Sequence, residues 1–286
     1  MGKIWIVLFS VLLLWSCSQT KTEYKEPEKD GFRIISLAQS VTQELIELGV
    51  EDQIVGATSY CSVTKYRKDL VVGSATEVNL EKVLLLKPDI VFATGLTKAS
   101  TIDAMTKNGI DVYSIGKLNS FEKICKEMLV IGEKVNQKQK AIEIVEAAKL
   151  KISELRKSIP VQEELEEKTA ESEQTVFFQL GTQPLFSVIP NTFMNEFITL
   201  ADCENIAKDL EHGSITRESV LTRNPDVIFV VTMGVVGVDE QDVWRKYPEL
   251  KAVKNDKIFV IDADIACTPS VGSFVKSLEI VIDSIY

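Results

Sequence analysis

One passage of this chain is written twice. Asn79-Leu80-Glu81 with Lys87-Pro88-Asp89-Ile90-Val91-Phe92 returns as Thr216-Arg217-Glu218 with Asn224-Pro225-Asp226-Val227-Ile228-Phe229, and both the prolines (225 − 88) and the glutamates (218 − 81) lie 137 positions apart. In each copy a polar cap residue, Asn79 or Thr216, opens a short helix, Pro-Asp ends it, and an apolar β-branched run follows that suits a strand buried on both faces. A helix feeding a buried strand is one step of a parallel α/β sheet. Two such steps predict two lobes of one design.

The rest of the chain fits that plan. Strands are expected at Arg33 to Leu37, Ile54 to Ala57, Ile90 to Ala93 and Val112 to Ile115, a four-strand parallel unit. Helices are expected from a Ser40 cap to Leu48, with Gln43 completing a capping box and Gly49 closing it, then over Leu80 to Leu86 and Thr101 to Lys107. Ser120 caps a further helix to about Gly132. Asn136 opens the next, with apolar positions Ala141, Ile144, Val145, Ala148, Ile152 and Leu155, running to Ser158. About 22 residues at 1.5 Å each make a rod of about 33 Å, enough to cross from one lobe to the other. After an acidic stretch from Pro160 to Gln174 that reads as a surface loop or a frayed extension, the second lobe reads as strand Val176 to Leu180, helix Thr192 to Leu200, helix Arg217 to Thr222 and strand Val227 to Val231. A loop flanked by Gly234 and Gly237, helix Asp239 to Tyr247, strand Ile258 to Ile261 and helix Val271 to Ser284 complete it. The fold class is therefore α/β: two Rossmann-like lobes with parallel sheets joined by one long helix, a ligand cleft between them. The boundaries are an N-terminal lobe at 32–134, an inter-lobe helix at 135–159 and a C-terminal lobe at 160–286.

The first residues carry a different message. Met1-Gly2-Lys3 is a short basic start, Ile4 to Leu14 is almost wholly apolar and short for a bilayer span, and Leu14-Trp15-Ser16-Cys17 follows directly. This resembles a bacterial lipoprotein signal with its lipobox. The resemblance implies a signal peptide at 1–16, a lipidated Cys17 and a polar linker at 17–31, so that the mature protein is tethered to a bacterial membrane by lipid alone, in the periplasm or at the cell surface.

A formal charge of −10 argues against nucleic acid as partner. Beyond Cys17, Cys61, Cys125, Cys203 and Cys267 allow three pairings or none and form no zinc pattern. Cys125 falls on an apolar helix face and reads as core. His212 is the sole histidine, too little for a carrier of bare transition-metal ions. No Gly-x-Ser-x-Gly elbow or phosphate-cradling glycine loop is present. The chain is expected not to be an enzyme and to need no cofactor. A metal-cluster or tetrapyrrole-handling enzyme of similar architecture, and a lipoprotein scaffold that binds only protein, remain the rival readings.

Ligands of parallel α/β sheets collect beyond the C-terminal strand ends. There the sequence places Ala38, Gln39, Tyr60, Cys61, Gly95 and Leu96 from the first lobe, and Gly181, Thr182, Gln183, Met233, Gly234, Asp264 and Ile265 from the second. The expected ligand contacts among them are Gln39, Tyr60, Cys61, Gly95, Gly181, Thr182, Gln183, Met233 and Asp264.

The order of motifs over nearly all of the mature chain resembles the cobalamin and iron-siderophore binding proteins of ABC importers. Those motifs are Arg33 to Ala38, Gly73 with Asn79-Leu80-Glu81, Lys87-Pro88-Asp89, Phe178-Gln179-Leu180-Gly181, Glu204-Asn205-Ile206-Ala207, Glu218 to Leu221, Asn224-Pro225-Asp226 and Ile261-Asp262-Ala263-Asp264. The resemblance implies a monomer that closes little on its ligand, a small-molecule metal chelate such as a ferric siderophore, corrinoid or haem. It also implies that Glu81 and Glu218 dock into arginines of the permease's transmembrane subunits. The stretch from Gly73 to Val78 lacks the cleft aromatics of cobalamin-binding members, and so departs from them.

Overall fold

Residue positions 31–160, 174–232 and 238–286 are described by the computed structural model. The signal peptide, Cys17, nearly all of the linker, the acidic loop at 161–173, and Met233, Gly234 and Gly237 lie outside the described residues.

The first repeat copy gives helix α2 (Leu80–Leu85), capped by Asn79, whose side chain accepts from the Lys82 amide at 2.9 Å. The second gives α7 (Arg217–Arg223), capped by Thr216, which accepts from Ser219 N at 3.2 Å. Each helix stops on a left-handed residue, Lys87 (φ 45°) or Asn224 (φ 46°), before the proline. The aspartates then perform one task twice. Asp89 accepts the amide of Arg33 at 2.8 Å, and Asp226 accepts both the amide and the hydroxyl of Thr175 at 2.9 and 2.7 Å. Each fastens the start of its lobe's first strand to the strand that the repeat itself supplies.

Those strands are β1 (Ile34–Ser36) and β3 (Ile90–Thr94) in the first lobe, with β2 (Ile54–Ala57) and β4 (Val112–Ile115) outside them. In the second lobe β5 (Thr175–Gln179) and β7 (Val227–Thr232) are central, flanked by β6 (Glu204–Asn205) and β8 (Ile258–Asp262). The sheets run β2-β1-β3-β4 and β6-β5-β7-β8, every pair parallel, so one strand order is used twice.

Around them stand α1 (Gln39–Glu47), α3 (Ala99–Lys107), α4 (Phe121–Lys134), α5 (Lys138–Ser158), α6 (Asn195–Leu200), α8 (Val238–Trp244), α9 (Lys251–Lys254), α10 (Ala263–Ala266) and α11 (Val271–Ile285). Ser40 does not cap α1. The cap position falls two residues earlier, at Ala38, with no side-chain cap, and the Gln39 side chain instead accepts the Ser62 amide at 2.6 Å. Asn136 does not open α5 either: it takes φ 58° to turn the chain between α4 and α5, a role for which its short polar side chain suits it. The 21 residues of α5 span about 32 Å.

Helix α5 buries Ala141, Val145, Ala148, Ile152 and Leu155 and packs against α4 and α11. Phe274 of α11 meets Phe121 of α4 at 4.5 Å and Phe197 of α6 at 4.9 Å, and Phe178 stacks on Phe229 at 4.9 Å. One continuous apolar core thus runs from Phe92 and Met128 of the first lobe to Phe178 and Phe229 of the second. The described part of Phe32–Tyr286 is one compact unit. Swinging the lobes far apart would expose this shared core, which argues for a cleft largely formed in advance.

Candidate functional site

Between the C-terminal strand ends lie two adjoining chambers. The first, about 810 Å³, is lined by Gln39 at the start of α1, by Tyr60 after β2, by Gly95 and Leu96 after β3, and by Lys117 and Leu118 after β4. Thr268 and Pro269, between α10 and α11, close it from the second lobe. The second chamber, about 560 Å³, is walled by Leu180, Phe186, Val188, Ile189, Phe193 and Met194. Lys117, Leu118 and Cys267 belong to both. Volumes of this size suit a ligand of drug-like bulk or larger.

Three large apolar side chains left in water gather here. Tyr60 is 72% exposed, Leu96 64% and Phe186 40%, and all three face the chambers. Exposed apolar groups gathered in a concavity mark a binding surface rather than random surface composition. Cys267 is half-buried, and burial first, then Asp262, pushes its thiol up to about 11, so it stays protonated at neutral pH. Cys61, Cys125 and Cys267 are free. Among the described residues no group of three or more His, Cys, Asp or Glu is placed to hold a metal ion.

Of the residues expected at the site, Gln39, Tyr60 and Gly95 line the first chamber. Cys61 does not. Its side chain is fully buried, with Sγ 3.2 Å from Thr58 Oγ1 and 3.9 Å from Ser36 O, so the thiol faces the core. Gly181, Thr182 and Gln183 follow β5 but line neither chamber, because Gln179 turns back to bond the Gly181 carbonyl at 2.9 Å and the chain re-pairs along β5 at Ser187. Asp264 is spent on an ion pair with Lys65 that ties the second lobe to the first. Met233 lies outside the described residues. The wall segment from Phe186 to Met194 was missed because it follows no repeat and no strand end. Lys117, two residues beyond β4, was within reach of the strand-end rule.

A helix that feeds a parallel strand runs opposite to it, so the N-termini of α2 and α7 lie at the level of the strands' C-terminal ends. Glu81 and Glu218, each in its helix's first turn and each exposed, therefore stand on the same side of the sheets as the cleft. The Glu218 carboxyl sits below the usual range because its own amide and the Thr216 hydroxyl donate to it. His212 lies exposed in the loop before α7 and lines neither chamber.

Comparison with known proteins gives one consistent answer. The family model described as periplasmic binding protein matches residues 34–265. An uncharacterized ABC transporter substrate-binding lipoprotein of Bacillus subtilis, YvrC, is 30% identical over 98% of this chain and 86% of its own. The vitamin B12-binding protein of Yersinia pestis is 28% identical over 71% of both chains. Among solved structures, the periplasmic heme-binding protein HutB of Vibrio cholerae superposes with a TM-score of 0.75 at 19% identity, covering 89% of this chain and 99% of that one. That likeness speaks to the fold.

Proposed function

The chain belongs to the periplasmic binding protein family and is a substrate-binding protein of the ABC importer kind, and from that premise we propose that it captures a chelated-metal compound in the two-chambered cleft and delivers it to a membrane permease. The observation that carries the reading is the cleft itself: preformed, walled by exposed apolar side chains, and roomy enough for a corrinoid, a haem or a ferric siderophore. A ligand that arrives already chelated needs amide, hydroxyl and aromatic contacts rather than metal ligands. Gln39, Tyr60 and Thr268 supply such contacts.

Glu81 and Glu218 dock the two lobes onto the permease. Their matched places in the repeat, and their exposure on the cleft side, support that role. Lipidated Cys17 holds the receptor at the membrane, a reading supported by the lipoprotein named in Bacillus subtilis.

Uptake of the chelate by cells lacking this protein tests the proposal. Restoring the wild-type gene is expected to restore uptake, and restoring the Glu81→Ala, Glu218→Ala double variant is expected to fail although the purified variant binds ligand normally. Full uptake with the double variant would remove the docking role.

A further inference from the structure

The two chambers differ in chemistry, and the difference describes the cargo. In the second chamber the hydroxyls are already committed. Ser187 Oγ donates to the Val188 carbonyl at 3.1 Å and Thr192 Oγ1 to that of Ile189 at 2.7 Å. What remains to meet a ligand there is mainly Leu180, Phe186, Phe193 and Met194, with the amide of Asn119, whose buried Oδ1 has no partner among the described residues, the one uncommitted polar side chain beside the shared Lys117. The first chamber keeps polar capacity: Gln39 uses its carbonyl oxygen on the Ser62 amide, which leaves its NH₂ for a ligand.

Charge is scarcer still. Among the described residues lining the two chambers Lys117 is the only Lys, Arg, Asp or Glu, and it stands on the wall that the chambers share. The lysines nearest in sequence to the first chamber's loops are taken, Lys65 by Asp264 and Lys98 by Glu77 at 3.8 Å. Lys117 has no carboxylate partner among the described residues. In a chain of formal charge −10, an ammonium without a carboxylate partner among the described residues, at the junction of two apolar chambers, is a specific invitation to one anionic group.

Resting on the receptor reading above, we propose that the cargo is amphipathic and carries a single anionic group near its middle. Its more polar part fills the first chamber, a hydrocarbon or aryl appendage fills the second, and the anion pairs with Lys117. Polyanionic chelates are selected against, because no other described residue of the lining carries a positive charge to neutralise a second or third anion.

Two fluorescent probes separate the elements of this proposal. Anilinonaphthalene sulfonate and N-phenyl-1-naphthylamine share one aromatic skeleton, and only the first carries a negative charge. They are titrated into the compact unit Phe32–Tyr286, which holds all of the described core, with folding of each variant checked by its thermal transition. The wild type is expected to bind the sulfonate at least about fivefold more tightly than the neutral probe. Lys117→Ala is expected to erase that preference while leaving the neutral probe unchanged. Phe186→Ser, at an exposed wall position, is expected to weaken both probes by about tenfold. Equal binding of the two probes, or a Lys117→Ala variant that keeps the preference, overturns the single-anion assignment. Unchanged binding by Phe186→Ser overturns the apolar subsite. Neither result depends on which chelate is carried, so a cleft that fails these tests and still binds a metal chelate leaves the receptor reading standing. A cleft that passes them yet binds no chelate removes that reading instead.

Discussion

Gln179 offers a sharp test of how the second lobe is held together. Its side chain is 1% exposed and joins two elements: Oε1 accepts the indole N–H of Trp244 at 2.6 Å, and Nε2 donates to Glu240 at 3.0 Å and to the Gly181 carbonyl at 2.9 Å. Arg217, beside Glu218, bonds Glu240 at 3.1 Å and lies over the Trp244 ring at 4.4 Å, so the same network steadies the helix that carries Glu218. Gln179→Leu keeps the bulk and removes every bond. The Trp244 ring is fully buried, so its N–H is left without a partner, at a cost of about 1 to 3 kcal/mol. The Gly181 carbonyl is partly exposed and can turn to water, and Glu240 keeps Arg217, so they add little. A net loss of about 2 kcal/mol lowers the melting temperature by about 4 to 8 °C for a unit of this size. Calorimetric unfolding measures it, and a double-mutant cycle with Trp244→Phe isolates the bond: on the phenylalanine background, which has no N–H to orphan, Gln179→Leu is expected to cost at least about 1 kcal/mol less. Strict additivity, or a melting temperature that does not move, would refute the reasoning.

Other consequences follow from the ionisable groups. Burial raises the carboxyl of Glu44, which Glu47 and Glu127 crowd further, and burial raises both of those carboxyls as well. Their contribution to stability is complete below the ordinary carboxylate pKa and is lost as pH rises through the raised folded values, so wild-type stability is expected to increase from alkaline pH toward pH 5. Glu44→Gln should flatten that slope and exceed the wild type at the alkaline end in denaturant titrations; an unchanged slope would count against the buried cluster. Asp226 has the opposite sign: despite desolvation, the bonds from Thr175 and then Lys251 hold its carboxyl low, so its contribution disappears only as pH falls through that depressed value. Asp226→Asn is expected to destabilise at pH 7 and to lose the difference in acid. The Lys65–Asp264 pair is half-exposed, so Lys65→Ala should change stability by less than about 1 kcal/mol yet speed ligand release, measured by stopped flow.

The duplicated passage revealed the two sheets, because a capped helix, Pro-Asp and a doubly buried strand leave little choice of topology. Gln179 stood in a recognisable motif, but its function could be seen only once Trp244, 65 positions away, had packed beside it. The strand-end rule located Gln39, Tyr60 and Gly95. Gly181 to Gln183, where Gln179 bonds back to the loop, line neither chamber, and Cys61, whose neighbour faces the cleft, points its own thiol into the core. The second chamber was not legible because its wall from Phe186 to Met194 is irregular and follows no strand end directly.

Ligand capture is the central claim, and isothermal calorimetry of the soluble unit against cobalamin, haem and a panel of ferric siderophores tests it most directly. Calorimetry is preferable to intrinsic fluorescence because Trp244, the only tryptophan after residue 31, is fully buried and lines neither chamber. The account predicts saturable one-to-one binding of one of these chelates, at micromolar affinity or tighter, with a negative heat-capacity change from burial of the apolar walls. Folded protein that produces no binding heat with any of them, at any temperature tried, would contradict it.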